Sequence, residues 1–149
     1  EKQKRVLLCA HWDSRPFADH DPDPSLQNTP IDGANDGASG VGVLLEIARL
    51  MATNNPGIGV DIIFFDVEDY GPPKNHPGSE VKDQYGLGSQ YWSRNMHDPD
   101  YTADYGILLD MVGAANATFY MEGYSMQFAS GILKKVWSIA NRAGFSEYF

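Results

Sequence analysis

The chain has 149 residues, 20 acidic against 11 basic side chains, and a net charge of −9. That length sets one domain as the expectation, and 42% hydrophobic content is enough for a packed core. The charge excludes a nucleic-acid surface, which needs clustered Lys and Arg, and no apolar run is long enough to span a membrane.

The single cysteine, Cys9, excludes an internal disulfide. It sits in the apolar run Val6-Leu7-Leu8-Cys9-Ala10, which favours a buried thiol over a nucleophile. No signal peptide is expected among these residues, a reading of little weight in a sequence that starts without Met. The chain starts at Glu1 directly before a strand and stops at Phe149 soon after a helix. The expectation is a piece of something longer: one α/β domain over 1–149 that lacks its N-terminal and C-terminal strands.

Arg5 to Ala10 reads as a short strand, apolar after its charged start, as a central strand covered on both faces would be. Residues 14–35 form a loop rich in Pro, Asp and Asn. Gly37 to Asn54 is expected to be helical, because Val41, Leu44, Leu45, Ala48 and Met51 recur at helical spacing and Asn54-Asn55-Pro56-Gly57 stops it. Val60 to Phe65 is the second strand, β-branched and aromatic. Residues 70–88 make a long loop with three prolines. Ser89 to Met96 is a short helix with Ser89 as its expected cap. Tyr105 to Leu109 is the third strand. Ser125 to Ala143 is the last helix, with Phe128, Ile132, Val136 and Ala140 at successive fourth positions and Gly144 ending it. This alternation predicts a three-layer α/β/α architecture around a mixed, mostly parallel sheet.

Acidic residues gather where these strands end. His11 and Asp13 follow the first strand, Glu68 and Asp69 the second, and Asp110 the third, while Asp36 sits in the glycine-rich turn Gly33-Ala34-Asn35-Asp36-Gly37 before a helix. Ligands of open α/β sheets bind at the carboxyl ends of the strands. Acids that interrupt apolar runs are costly to bury without a cation or hydrogen bonds. Carboxylate and imidazole donors together suit Zn²⁺, and two adjacent carboxylates can divide metal binding from proton transfer. The other histidines, His20, His76 and His97, neighbour Asp, Asn or Pro in loops and read as exposed. Trp137 reads as core; Trp12 and Trp92 stay open between core and pocket wall.

His11-Trp12-Asp13, Gly33-Ala34-Asn35-Asp36, Glu68-Asp69 and Asp110 together resemble the motif series of the zinc-dependent exopeptidase superfamily, which contains the M28 aminopeptidases and the animal-type glutaminyl cyclases. The stretch Leu108-Leu109-Asp110-Met111-Val112-Gly113-Ala114-Ala115-Asn116-Ala117-Thr118-Phe119 is similar to the cyclase pattern Leu-Leu-Asp-Leu-Ile-Gly-Ala-Pro-Asn-Pro-Thr-Phe. The delay of Gly88-Ser89 until after the long loop is also cyclase-like. The resemblance implies a glutaminyl-peptide cyclotransferase that turns N-terminal Gln into pyroglutamate with loss of ammonia. Its substrates would be peptide or protein N-termini.

In that reading Asp36 and Asp69 ligate one zinc, Glu68 is the general acid/base, and Asp110 positions the substrate amine. Asp13 is the acid that orients His11. The alternative is a two-zinc aminopeptidase, in which Asp36 bridges both metals and His11 and Asp110 hold the second. A third is a non-catalytic peptide-binding domain of the same fold. Two departures stand out. Asp69 occupies a position that is usually Glu, one methylene longer. No histidine matches the family's last zinc ligand, which the resemblance places beyond Phe149. The resemblance alone suggests export to a periplasm; the residues themselves carry no location.

Overall fold

Three parallel strands form a sheet in the order β2-β1-β3: β1 is Arg5–His11, β2 Gly59–Phe65 and β3 Tyr105–Leu108. The architecture is a computed structural model that describes residues 4–73, 76–77 and 83–149. Part of the expected loop 70–88 lies outside those residues. The strand expected to be covered on both faces is the central one, which explains its run of Val, Leu, Cys and Ala. Val6, Cys9, Ala10 and His11 are all buried.

The register decides where the site lies. Arg5 pairs with Gly59 and His11 with Phe65, while Val6 pairs with Tyr105 and Cys9 with Leu108. Backbone bonds extend both ladders by one step, Trp12 N–H to the Phe65 carbonyl at 2.9 Å and Leu109 N–H to the Cys9 carbonyl at 2.8 Å. In this register β1 and β2 end together and β3 ends two residues short of them, at the same end of the sheet. Residues 12–15, 66–70 and 109–113 therefore leave the sheet along one edge.

Helix α1 (Ala38–Met51) packs on β1. The contact is close because Gly40 has no side chain: a Cβ there would lie 2.3 Å from the Leu109 carbonyl oxygen and 2.9 Å from the Ala10 Cβ. Leu44 is completely buried. Leu45, expected on the same face, is exposed instead. It lies one step, about 100°, around the helix from Leu44, and Ile47 takes the inward place with Ala48 and Met51.

Helix α2 (Leu87–Arg94) begins two residues before the expected start, and Ser89 is not its cap. Gly86 holds the N-cap position in a left-handed conformation. The N–H groups of Gly86, Leu87 and Gly88 bond the carbonyls of Glu68, Val67 and Asp66 at 2.8, 3.0 and 3.1 Å. The exit of β2 thus supplies partners for N–H groups at the start of the helix. Trp92 of α2 packs edge-on to Phe65 and Tyr101 and stacks with His97, so it is a packing residue.

Residues 1–113 form one compact unit and 114–149 a second. In the second, helix α3 (Gly123–Arg142) starts two residues early because the Glu122 carboxylate caps it, accepting from Tyr124 N–H and Ser125 N–H at 2.7 Å each. The helical angles lapse at Ala129. This separates Phe128, which is exposed, from Ile132, Val136 and Ala140, which are half-buried. Trp137 packs edge-on to Phe149, which also meets Phe119. Among the described residues no helix is long and apolar enough to cross a membrane.

Candidate functional site

His11, the last residue of β1, is the centre of the site. Its ring is 2% exposed, and its Nδ1 lies 3.1 Å from the main-chain carbonyl of Asp13. A carbonyl only accepts, so Nδ1 carries a proton and Nε2 is the nitrogen free to bind. Nε2 lies 3.1 Å from Asp36 Oδ1 and 3.4 Å from Asp110 Oδ1. It is nevertheless a buried polar atom with no hydrogen-bond partner among the described residues. The two carboxylates flank the nitrogen without lying along a donor direction. A tetrahedral metal ion with bonds of about 2.0–2.1 Å holds its ligand atoms about 3.3 Å apart. The donor atoms of His11, Asp36 and Asp110 lie within 4.8 Å of one another and fit such an ion.

Each donor is held from outside the cluster. Gly37, the N-cap of α1, adopts φ 90° and ψ −66°, and its Cα side abuts the imidazole. The Asn35 carboxamide oxygen accepts from Gly113 N–H at 2.8 Å. The Ser39 hydroxyl donates to the Asn35 carbonyl at 2.5 Å and accepts from Val112 N–H at 3.0 Å. These bonds tie the turn that carries Asp36 to the loop that carries Asp110. The sequence reading missed Ser39, and it quoted Asn35 only as a motif letter. The signal available was a side-chain amide within a glycine-flanked turn, a common way to bond a neighbouring backbone.

The adjacent acids Glu68 and Asp69 stand on the loop after β2. Asp13 holds that loop with both carboxylate oxygens, accepting from Glu68 N–H at 3.0 Å and Asp69 N–H at 3.1 Å. Its bond to His11 comes from the main chain; its own carboxylate Oδ1 lies 3.6 Å from Nδ1. Val67, before Glu68, has φ 55°, and Met111, after Asp110, has φ 50°. A β-branched residue in the left-handed region is a true outlier, and such strain gathers where a backbone is held for a task.

The electrostatics follow from crowded acid. Burial raises the Glu68 carboxyl above the usual glutamate range; His11 opposes this, while Asp69, Asp110 and Asp13 add to it. Burial also raises Asp69, with Asp36 adding and Arg15 opposing. For His11, burial is the largest influence and disfavours the charged ring, but Asp110, Glu68, Asp13 and Asp36 together outweigh it and raise its pKa. A metal ion at this cluster would displace that proton and relieve the repulsion among the carboxylates.

All six residues expected at the site thus belong to the one strand-end edge of the sheet. His11, Asp36 and Asp110 converge through their donor atoms. Glu68 and Asp69 lie beside them, within the same field of charge, and Asp13 joins the two groups. Trp12 is exposed, and His20 and His76 are exposed in loops.

The family model for peptidase family M28 matches residues 1–149. A crystal structure of a Zn-dependent exopeptidase from Parabacteroides distasonis is 58% identical, with a TM-score of 0.96, covering 99% of this chain and 51% of that one. A leucine aminopeptidase precursor from Bacteroides thetaiotaomicron is 56% identical with a TM-score of 0.96, over 100% of this chain and 51% of that one. A glutaminyl cyclase from the same organism, bound to N-acetylhistamine, is also 56% identical with a TM-score of 0.96 at the same coverage. The chain spans about half the length of the solved structures it matches.

Proposed function

We propose, given that this chain belongs to peptidase family M28, that the full-length protein is a zinc-dependent glutaminyl-peptide cyclotransferase. It acts on peptide or protein N-termini that begin with glutamine. The observation that carries this reading is Glu68: a half-buried acid, its pKa raised by burial, beside the donor set of His11, Asp36 and Asp110. A structural metal site has no use for a spare, half-buried acid beside it. The likeness to a glutaminyl cyclase over the whole chain supports this reaction, and the equal likeness to a leucine aminopeptidase precursor supports the second reading below.

Asp36 and Asp69 would hold the zinc in this reading. Bound zinc supplies a Lewis acid for the substrate's side-chain amide carbonyl. Glu68 accepts a proton from the α-amine as that nitrogen forms its bond to the side-chain amide carbon. Glu68 then delivers the proton to the departing nitrogen as the C–N bond breaks, which releases ammonia and leaves pyroglutamate. Asp110 accepts a hydrogen bond from the amine and so aims it. Such acid–base help is worth about 10²–10⁴-fold in rate.

One observation favours a second reading. The atoms that converge, those of His11, Asp36 and Asp110, are the set that a two-zinc aminopeptidase would use for its second metal. The experiment is ammonia release from an N-terminal glutaminyl peptide by the full-length, zinc-loaded protein, with an aminoacyl chromogenic substrate in parallel and zinc counted per chain. Ammonia alone with one zinc supports the cyclase, and Glu68→Gln should then lower kcat about 10²–10⁴-fold. Amino-acid release with two zincs replaces it by the aminopeptidase.

A further inference from the structure

We propose that Arg15 is a positioning residue that sets the geometry of the Glu68–Asp69 acid pair; this rests on the reading of Asp69 as a zinc ligand. Neither the sequence motifs nor the metal-like cluster includes Arg15. The structure nevertheless gives it an unusual set of partners. Its side chain is 11% exposed. A guanidinium has five N–H groups in a fixed fork, and here five oxygens meet them. Nε and Nη2 donate to the two carboxylate oxygens of Asp19 at 2.8 and 2.7 Å. Nη1 donates to the main-chain carbonyls of Asp69 at 3.1 Å and Gly71 at 3.2 Å. Nη2 also reaches the Pro72 carbonyl at 3.5 Å.

One edge of the fork is therefore anchored on Asp19, and the other holds the backbone of the loop that carries the acids. The Tyr85 ring covers the guanidinium, 5.7 Å from Cζ to the ring centre. Asp13 grips the same loop by its N–H groups at Glu68 and Asp69. Arg15 grips it by its carbonyls at Asp69, Gly71 and Pro72. Between them the peptide planes around Asp69 cannot rotate without breaking bonds on both sides. Arg15 also bears on the Asp69 carboxylate itself, with Nη1 3.6 Å from Oδ1. At that distance it attracts the carboxylate while its hydrogens stay on the main chain.

The Asp69 side chain is short, so its reach depends on where the backbone is held. Arg15 holds that backbone. Lysine keeps the charge but offers three donors from one atom and cannot span Asp19 and three carbonyls at once.

The test compares wild-type full-length protein with Arg15→Lys, Arg15→Met and Asp69→Ala. The readouts are zinc affinity by competition with a chromophoric chelator, kcat and KM on a glutaminyl peptide, and urea unfolding of the metal-free protein. Partners that orient metal ligands typically change affinity or activity by about 10–100-fold when lost. The expected result is a fall of that size in zinc affinity and in kcat for Arg15→Lys, with KM within about threefold of wild type. A residue that only supported the fold would shift the urea midpoint and leave the zinc affinity of the folded protein unchanged; that result overturns the proposal. Should Arg15→Met not fold, Arg15→Lys decides alone. If Asp69→Ala loses zinc while Arg15→Lys keeps it, the Arg15 proposal fails and the ligand reading stands. If Asp69→Ala keeps wild-type zinc affinity, the ligand reading fails and the proposal falls with it.

Discussion

Gly37→Ala probes the coupling between backbone and site most directly. Gly37 adopts φ 90° and ψ −66°, outside even the left-handed helical region. That conformation belongs to the rare, strained γ-turn, and a side chain in left-handed backbone costs about 1–2 kcal/mol. Space is also lacking: the new Cβ would lie 2.5 Å from the Asp13 carbonyl oxygen and 3.3 Å from His11 Cε1. Relief requires moving the Asp13 carbonyl, which holds His11 Nδ1. Leaving that buried ring nitrogen unpaired costs about a further 1–3 kcal/mol. The expected destabilisation is about 3 kcal/mol, read by urea unfolding of the metal-free, full-length protein, together with a loss of zinc affinity. Gly42→Ala is the control. Gly42 lies inside α1 with nothing within 4 Å of its built Cβ, so the same chemistry should stabilise by about 0.5–1 kcal/mol. A Gly37→Ala protein within 1 kcal/mol of wild type that keeps its zinc affinity would refute the reasoning.

Asp13→Asn leaves one acceptor oxygen for two backbone N–H groups, so one of Glu68 N–H and Asp69 N–H faces an amide donor. The expected cost is about 1–3 kcal/mol in urea unfolding, with kcat reduced, and an unchanged midpoint would count against the loop clamp. Burial pushes the Cys9 thiol up to about 11, so iodoacetamide at pH 8 should label it slowly in the native state and fully in denaturant; labelling of native protein within minutes would contradict its burial. Asp61 takes bonds from Arg5 at 2.8 and 2.5 Å and from the Tyr101 hydroxyl at 3.0 Å, and the Arg5 bonds chiefly hold its pKa below the usual aspartate range. A depressed folded pKa adds stability above the unfolded value of about 3.9 and loses it as pH falls through the folded value. The stability gap between wild type and Asp61→Asn should therefore be level at neutral pH and close below about pH 4, and a gap that widens in acid would reverse the assignment.

The strands and the acids were legible because each breaks a local rule. A run such as Val6-Leu7-Leu8-Cys9-Ala10 has no polar face to turn to water, and an acid directly after such a run needs a partner. Those two facts placed His11, Glu68 and Asp110 at one edge of a parallel sheet. Helix faces were read less well. Leu45 carries the same letter as Leu44 and points elsewhere, because a one-residue step turns a helix by about 100°. The Ser89 cap failed because backbone carbonyls of residues 66–68, distant in sequence, take the N–H groups of residues 86–88 and let the helix start before Ser89. Phe128 left its apolar series because the helix loses its angles at Ala129, and a periodic pattern assumes unbroken angles. Arg15, Asn35 and Ser39 stayed hidden for a related reason: their work is done on backbone atoms far along the chain, and backbone atoms leave no letter in a sequence.

The exit of β1 shows how few residues are needed to build this site. His11, Asp13 and Arg15 are spaced by two, the period of a strand. All three are covered, while Trp12 and Ser14 between them are exposed. The alternation of the strand thus outlasts its ladder by four residues and turns one side of a loop into a tool. His11 sets its Nε2 beside the carboxylates of Asp36 and Asp110, the three donors that a metal ion would fit. Asp13 takes the N–H groups of the next strand's loop, and Arg15 takes its carbonyls. The metal-like cluster and the acid pair are therefore set by one short stretch of backbone. Losing or gaining a residue between His11 and Arg15 would turn Arg15 outward even with His11, Asp13 and Arg15 all retained. For that reason the spacing of this stretch matters to the site as much as the identity of any one of its residues.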